Sequence, residues 1–424
     1  MIDRRTAATL LALLTTASCD RCSGGEATKD AAAIDARPVV AAADASRLDD
    51  ASDGAPSIRD AAIQAFDAAP TAAGPSPCRL AWGPAEQPFR GPAALLVSPN
   101  ELKLVANDGG KPRVYPVPFG RPPAASAPGV VPPAPASFVG MRWPPCAIAG
   151  RWAYCQAAGG NVYRTTLGAA DSKQIAKSRP STRIAAAPLG ADHAIVATLD
   201  IRHTTEGDRL QAFVTLDDGE TTRLSEDGAG ATVLHLVPRG ASAVALYLDA
   251  RTSMVPVHAR PLSLRGSALA LGDDAVVFVA GPPERAVDFT VVGTPRALFA
   301  LLPIGHDSAE FGMAAIPIAE PPREDVQPVW SMYPNGLDPA PVAGTLQSED
   351  GAWVARVRPA ERAASSPRVL ELGRIDGTGA FRSLGAIASD KPITDLAIAR
   401  DGFGSLWILY GNTSATWLER RVCP

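Results

Sequence analysis

The sequence predicts an all-β fold in which four-stranded antiparallel meanders repeat along the chain, behind an N-terminal segment that lies outside the folded domain. Three observations carry this expectation. From Cys78 onward, short runs of alternating apolar residues close in clusters of Gly, Asn, Asp or Pro, the pattern of strands joined by tight turns. The pattern recurs at a spacing of about 40 to 50 residues, the period of a repeated sheet. Residues 23–77, by contrast, hold 18 Ala, 8 Asp and a single aromatic, Phe66, too little apolar surface to offset the entropy of ordering. The 424 residues carry 40 basic and 44 acidic side chains, with 46% hydrophobic residues. That balance excludes a basic nucleic-acid binder and a protein of many apolar membrane helices. The basic set is 34 Arg and only 6 Lys, and Ala is abundant throughout, so Ala-richness is not counted as a helix signal.

Residues 1–18 read as a signal peptide, with Arg4 and Arg5 as the charged head, an apolar stretch over Ala7 to Leu14, and small residues Ala17 and Ser18 before Cys19. The apolar stretch is too short to span a bilayer. Thr16-Ala17-Ser18-Cys19 resembles the lipobox of bacterial lipoproteins, with Thr16 where the strongest form has Leu. The resemblance implies that Cys19 is lipidated and becomes the mature N-terminus, which expects an exported chain anchored in the cell envelope. Residues 19–77 then form an acidic, disordered linker of root-mean-square reach of about 40 Å, with one short helical spacing at Ile58, Ala62 and Phe66.

Within residues 78–424 the clearest unit is 183–225. Strands are expected at Arg183–Ala187, His193–Arg202, Arg209–Leu216 and Glu220–Ser225, with turns at Pro188–Asp192, Thr204–Asp208 and Asp217–Gly219. The rhythm returns at Thr232–Leu264, Phe289–Met332 and Pro341–Ile387; between Ser267 and Val292 the assignment to a unit is open. Such repeats resemble the β-propeller architecture, in which each blade buries its faces against its neighbours. The WD and Kelch signatures are absent, so no named propeller family is implied. The length gives about seven blades, with six and eight open. Gly120–Ser137, rich in Pro and Ala, reads as a long surface loop. Two unrelated β-sandwiches, or a sandwich plus a smaller β domain, are the alternatives.

The six Cys divide by position. Cys19 and Cys22 fall in the N-terminal segment, leaving Cys78, Cys146, Cys155 and Cys423 in the β region, and an even number in an exported domain expects disulfides. Cys146 and Cys155 flank a candidate hairpin centred on Gly150 and Arg151, whose register places Cys opposite Cys at a non-hydrogen-bonded pair. Cys78 and Cys423 mark the domain ends. Ile393–Ala399, Ser405–Gly411 and Ala415–Cys423 are one strand short of a blade, while Cys78–Trp82 is a strand without one. Borrowing that strand completes the last blade and predicts a Cys78–Cys423 bond.

No reaction centre is legible. The chain has no G-x-S-x-G, no H-E-x-x-H, no phosphate-binding glycine loop and no zinc spacing, so no cofactor and no metal are expected. His193, His203, His235, His258 and His306 read as solvated or turn residues, and Asp217-Asp218-Gly219 and Asp273-Asp274 as turns. Most aromatics sit in strand-like runs, where packing between blades is the expected use. Trp330, Tyr333 and Asn335, before a Gly turn, form the candidate binding patch. The expected function is a binding or scaffolding platform for a protein or glycan partner in the envelope. Two alternatives remain, a hydrolase or lyase working in the propeller channel, and a glycan or small-molecule sensor.

Overall fold

The computed structural model describes residues 77–424 apart from 90–92, 98–100, 109–110, 119–145, 158, 168–171, 181, 206, 252–253, 281–283, 287, 294–296, 307–310, 325, 334–341, 346–350, 360–367, 389–392 and 413–414. Cys19, Cys22, the linker with its Ile58–Phe66 spacing, the Gly120–Ser137 loop and Asn335 therefore lie outside the described residues. Among those described, every regular element is a strand, and the 29 strands form seven sheets.

Blade one is Ala94–Val97, Glu101–Asp108 and Lys111–Pro118. Blade two is Cys146–Ala149, Trp152–Gln156, Asn161–Thr166 and Ser172–Lys177. Blade three is Ala185–Leu189, His193–Thr204, Gly207–Leu216 and Thr221–Arg223. Blade four is Ala231–Arg239, Ser242–Asp249 and Val255–Arg265, with Ala268–Leu271 and Ala275–Ala280 outside them. Blade five is Thr290–Gly293, Leu298–His306, Phe311–Pro317 and Val329–Tyr333, with Glu284–Ala286 beside its second strand. Blade six is Val342–Gly344, Ala352–Pro359, Arg368–Ile375 and Phe381–Ala388. Blade seven is Asp395–Arg400, Ser405–Gly411 and Thr416–Val422, completed by Arg79–Glu86 from the start of the domain.

The first strands of consecutive blades touch in cyclic order, and that of blade seven touches that of blade one, so the sheets close a ring. The apolar residues fall into seven cores, one at each blade interface. The strand Ser242–Asp249 shows why. Ala243, Ala245 and Tyr247 enter the core shared with blade three, whereas Val244, Leu246 and Leu248 enter the one shared with blade five. A strand buried on both faces must be apolar at consecutive positions, which explains why the second strands lack clean alternation. The fold is a seven-bladed β-propeller.

The stretch between Ser267 and Val292 contributes no extra blade. Val255–Arg265 is 11 residues long, and its outer edge is shared by two short strands, Ala268–Leu271 against Leu262–Arg265 and Ala275–Ala280 against Val255–Ala259. The interruption at Gly272–Asp274 divides one fourth strand into two.

Both disulfides have the expected partners, Cys78 with Cys423 and Cys146 with Cys155. In blade two the register is Ala149 with Trp152, Ile148 with Ala153, Ala147 with Tyr154 and Cys146 with Cys155. Gly150 has φ +56°, while Arg151 is not among the positive-φ residues, as a type II′ turn requires. In blade seven, Arg79 pairs with Val422 and Glu86 with Trp417, so the borrowed strand is the outermost of its sheet.

Candidate binding face

The strand order gives the ring two unlike faces. One carries the turns from first to second and from third to fourth strand; here it is the hairpin face. The other carries the second-to-third turns and the passages that lead from a fourth strand to the next blade; it is the crossover face.

The first strands, nearest the ring axis, are built mostly from small and aliphatic residues, such as Ala94-Leu95-Leu96-Val97, Ala185-Ala186-Ala187-Pro188-Leu189 and Val342-Ala343-Gly344. A polar cluster interrupts this wall. Arg183 precedes the first strand of blade three, His235 lies within that of blade four, and Asp288 and Phe289 fall between Glu284–Ala286 and Thr290–Gly293, which pair the same edge of blade five's second strand. Arg183 Nη1 donates to the Phe289 carbonyl at 3.2 Å, contacts His235 Nε2, and stands 3.6 Å from Asp288 Oδ1. His235 Nε2 lies 2.8 Å from the same carbonyl, and its ring lies tilted against Phe289, with centroids 4.6 Å apart. Blades three and five flank blade four, so their residues meet only where blades converge, at the axial rim. Arg183 enters from the crossover end, while His235 and Asp288–Phe289 lie along the length of their strands, so the cluster lines the axial wall.

A guanidinium can only donate and a carbonyl can only accept, so His235 Nε2 stands between two groups that ask for opposite protonation of it, Arg183 and the Phe289 carbonyl. Burial, reinforced by the Arg183 charge, holds the His235 pKa well below the ordinary range. Arg183 also pairs with Asp288, so one guanidinium ties residues of three blades together, and the cluster offers both donor and acceptor groups to a ligand.

Blade three adds relief to this face. His193–Thr204 and Gly207–Leu216 stay paired to Thr204 and Gly207, but the first strand accompanies them only as far as Ala197 and the fourth only to Phe213. Beyond Leu199, whose carbonyl still accepts from the Arg179 N–H at 2.6 Å, the hairpin projects as a two-stranded arm with Ile201 exposed. Its edge is guarded, since the Asp200 carboxylate accepts the Ile201 N–H at 3.0 Å, a device that discourages strand addition.

Two further polar clusters lie between blades, away from the axis. Glu371 accepts from Arg356 at 2.7 Å and Ser383 at 2.7 Å and pairs with Arg358 at 3.0 Å, all three charged groups being buried. Burial raises the Glu371 pKa, but Arg356 and Arg358 outweigh it and hold the carboxyl below its usual range. Between blades three and four, Asp274 accepts from the Tyr247 hydroxyl and lies 3.2 Å from His258 Nδ1, with the Tyr247 and His258 rings stacked. Both clusters link strands of one sheet within an interface.

The histidine expectation needs correction. His203 is exposed beside Asp208, and His193 pairs with Asp217 at the turn, but His235 is a partly buried strand residue and His258 is buried. Asp274 is likewise a buried acceptor rather than a solvated turn residue. Trp330 and Tyr333 lie on the outermost strand of blade five, opposite Ala314 and Phe311; their side chains fall outside the described residues, as does Asn335. Arg183, Asp288 and Phe289 have no sequence signal, because what unites them is separation by whole blades. Among the described residues no group of three His, Cys, Asp or Glu is placed to hold a metal ion.

No family model and no curated protein sequence matches the chain. Among solved structures it is similar to U3-55K at 14% identity, TM-score 0.43, covering 82% of this chain and 99% of that one. It is similar to YCF48 from Cyanidioschyzon merolae at 13% identity, TM-score 0.42, covering 81% and 98%. The β-propeller domain of Cps50 (Swd1) from Myceliophteria thermophila matches at 11% identity, TM-score 0.42, covering 80% and 98%.

Proposed function

We propose that this chain is an exported lipoprotein of the bacterial envelope, lipidated at Cys19, whose propeller binds a protein or glycan partner through its crossover face. The observation that carries the binding reading is the Arg183–His235–Asp288 cluster, partly exposed polar groups set by three blades into an otherwise aliphatic axial wall. The two disulfides fit an oxidising compartment. The lipobox-like segment and the linker support anchoring, since acyl chains at one end leave a rigid domain free to engage a partner.

Cross-linking capture from intact envelopes tests this reading with wild type, Arg183→Gln and a hairpin-face control, Arg151→Ser. The expected result is a defined partner, depleted at least about tenfold by Arg183→Gln, a hydrogen-bonded charge at an interface, and retained by the control. Equal recovery with all three chains would overturn it, as would turnover of a glycan by the purified protein. Mass spectrometry of the N-terminal peptide checks lipidation; an unmodified peptide beginning elsewhere than Cys19 refutes it.

A further inference from the structure

Six large apolar residues are exposed among those described, and three of them share one corner of blade seven. Phe403 is 71% exposed, Leu80 42% and Val422 41%. Their proximity follows from the register. Leu80 opposes Arg421, Arg79 opposes Val422, and Val422 opposes Ser405 at the end of the Asp401–Gly404 turn that carries Phe403. The corner is on the hairpin face.

Its charge is positive. Arg79, Arg400, Arg420 and Arg421 lie on the strand ends that carry Leu80 and Val422 and flank the turn that carries Phe403, against the carboxylates Asp401 and Glu419. The carboxylates are committed inward. Asp401 accepts the N–H groups of Phe403 and Ser405, the Trp407 indole at 3.0 Å and Arg420 at 3.0 Å; Glu419 accepts from Arg421. Arg421 also donates to the Cys78 carbonyl at 3.1 Å, so the first residue of the domain is part of this corner. The chain that leads from Cys19 enters the propeller here.

We propose that this corner docks on an anionic lipid surface, with Phe403, Leu80 and Val422 in the interfacial region and the exposed Arg79 against phosphate headgroups. This rests on the lipid-anchored reading. An acyl anchor at Cys19, some 59 residues upstream of Cys78, joins the bilayer covalently to the end of the domain that forms this corner. An apolar tip with Arg79 beside it at the attached end then supplies the second, weaker contact that such anchors use. Docking by the hairpin face leaves the crossover face toward the aqueous compartment.

The full lipidated chain is reconstituted on vesicles of phosphatidylcholine with and without phosphatidylglycerol, and amide hydrogen exchange is followed. Exchange at 402–405 and 421–423 is expected to slow at least about fivefold on the anionic vesicles alone. Phe403→Ser with Arg79→Ser abolishes the slowing while the chain stays on the vesicles through Cys19. Unchanged exchange at the corner, or protection of the crossover-face arm at 200–208 instead, would overturn the proposal. A Cys19→Ser chain at saturating lipid reads docking without the anchor. Corner protection there with an unlipidated native N-terminus would separate failure of the anchoring reading from failure of docking.

Discussion

Blades two and seven each carry a disulfide, and the contrast between them shows what a covalent bond is for in this ring. In blade two, Cys146 and Cys155 are nine residues apart on one hairpin whose turn already fixes their register. In blade seven, Cys78 and Cys423 are 345 residues apart, and the outermost strand arrives from the other end of the chain. Every other described blade takes its strands from one continuous stretch. The bond in blade seven therefore does what connectivity does elsewhere, while the bond in blade two reinforces a contact that connectivity has already made.

The largest test of that contrast is removal of each pair. Chain-entropy reasoning assigns about 5 to 6 kcal/mol to the long closure and about 2.5 to 3 kcal/mol to the short one, as upper limits. Replacing Cys78 and Cys423 by Ser is expected to lower the denaturant midpoint more than the same change at Cys146 and Cys155. Equal losses would break the comparison.

A glycine pair sharpens it. Gly83, in the borrowed strand, has φ +87°, and a Cβ there would stand 2.6 Å from the Leu418 carbonyl oxygen. Gly150, in the blade-two turn, has φ +56° with nothing within 4 Å of an added Cβ. Gly83→Ala should cost about 3 kcal/mol, combining strain with displacement of the neighbouring strand. Gly150→Ala costs about 1 kcal/mol. Urea unfolding of both variants measures the difference.

The aromatic polar groups differ in the same direction. The Trp407 indole donates to buried Asp401 in blade seven, whereas the buried Tyr154 hydroxyl in blade two makes no hydrogen bond of good geometry, with Arg164 opposite it as its charged neighbour. Trp407→Phe is expected to cost about 1 to 2 kcal/mol beyond its lost volume, and Tyr154→Phe to be neutral or stabilising. A destabilised Tyr154→Phe chain would mean that Arg164, or a bound water or ligand, uses that hydroxyl.

The smallest effect concerns blades three to five, which are joined at the axis without a covalent tie. The His235 pKa is depressed in the folded state, so below the unfolded value of about 6.5 the unfolded chain takes up a proton that the folded chain refuses. This contribution to stability is intact above that pH. It falls as pH drops below it, by at most about 1.4 kcal/mol per pH unit. His235→Gln should flatten the acid limb of the stability curve, while the two disulfide variants keep its slope.

The expected strands of blade three match the structure closely. His193–Arg202 and Arg209–Leu216 are observed as His193–Thr204 and Gly207–Leu216, because period-two patterns and the Asp-Asp-Gly turn are local signals. Its first strand shifts from Arg183–Ala187 to Ala185–Leu189. Arg183 leaves the pattern there to meet residues of blades four and five, a pull that no local window contains. The same limit applies to His235 and Asp274, whose partners lie 52 to 54 and 16 to 27 residues away.

The sequence by itself determined the repeat, the β class and both cysteine pairings, because periodicity, turn chemistry and the count of strands at the chain ends are written in adjacent residues. Only the tertiary structure decided that there are seven blades, that Gly272–Asp274 divides a strand instead of separating two blades, and that Arg183, His235 and Asp288 meet at the axis. Those facts depend on how many two-faced sheets pack before the ring closes, and on which residues three separate blades bring to the same point. Packing across interfaces sets both.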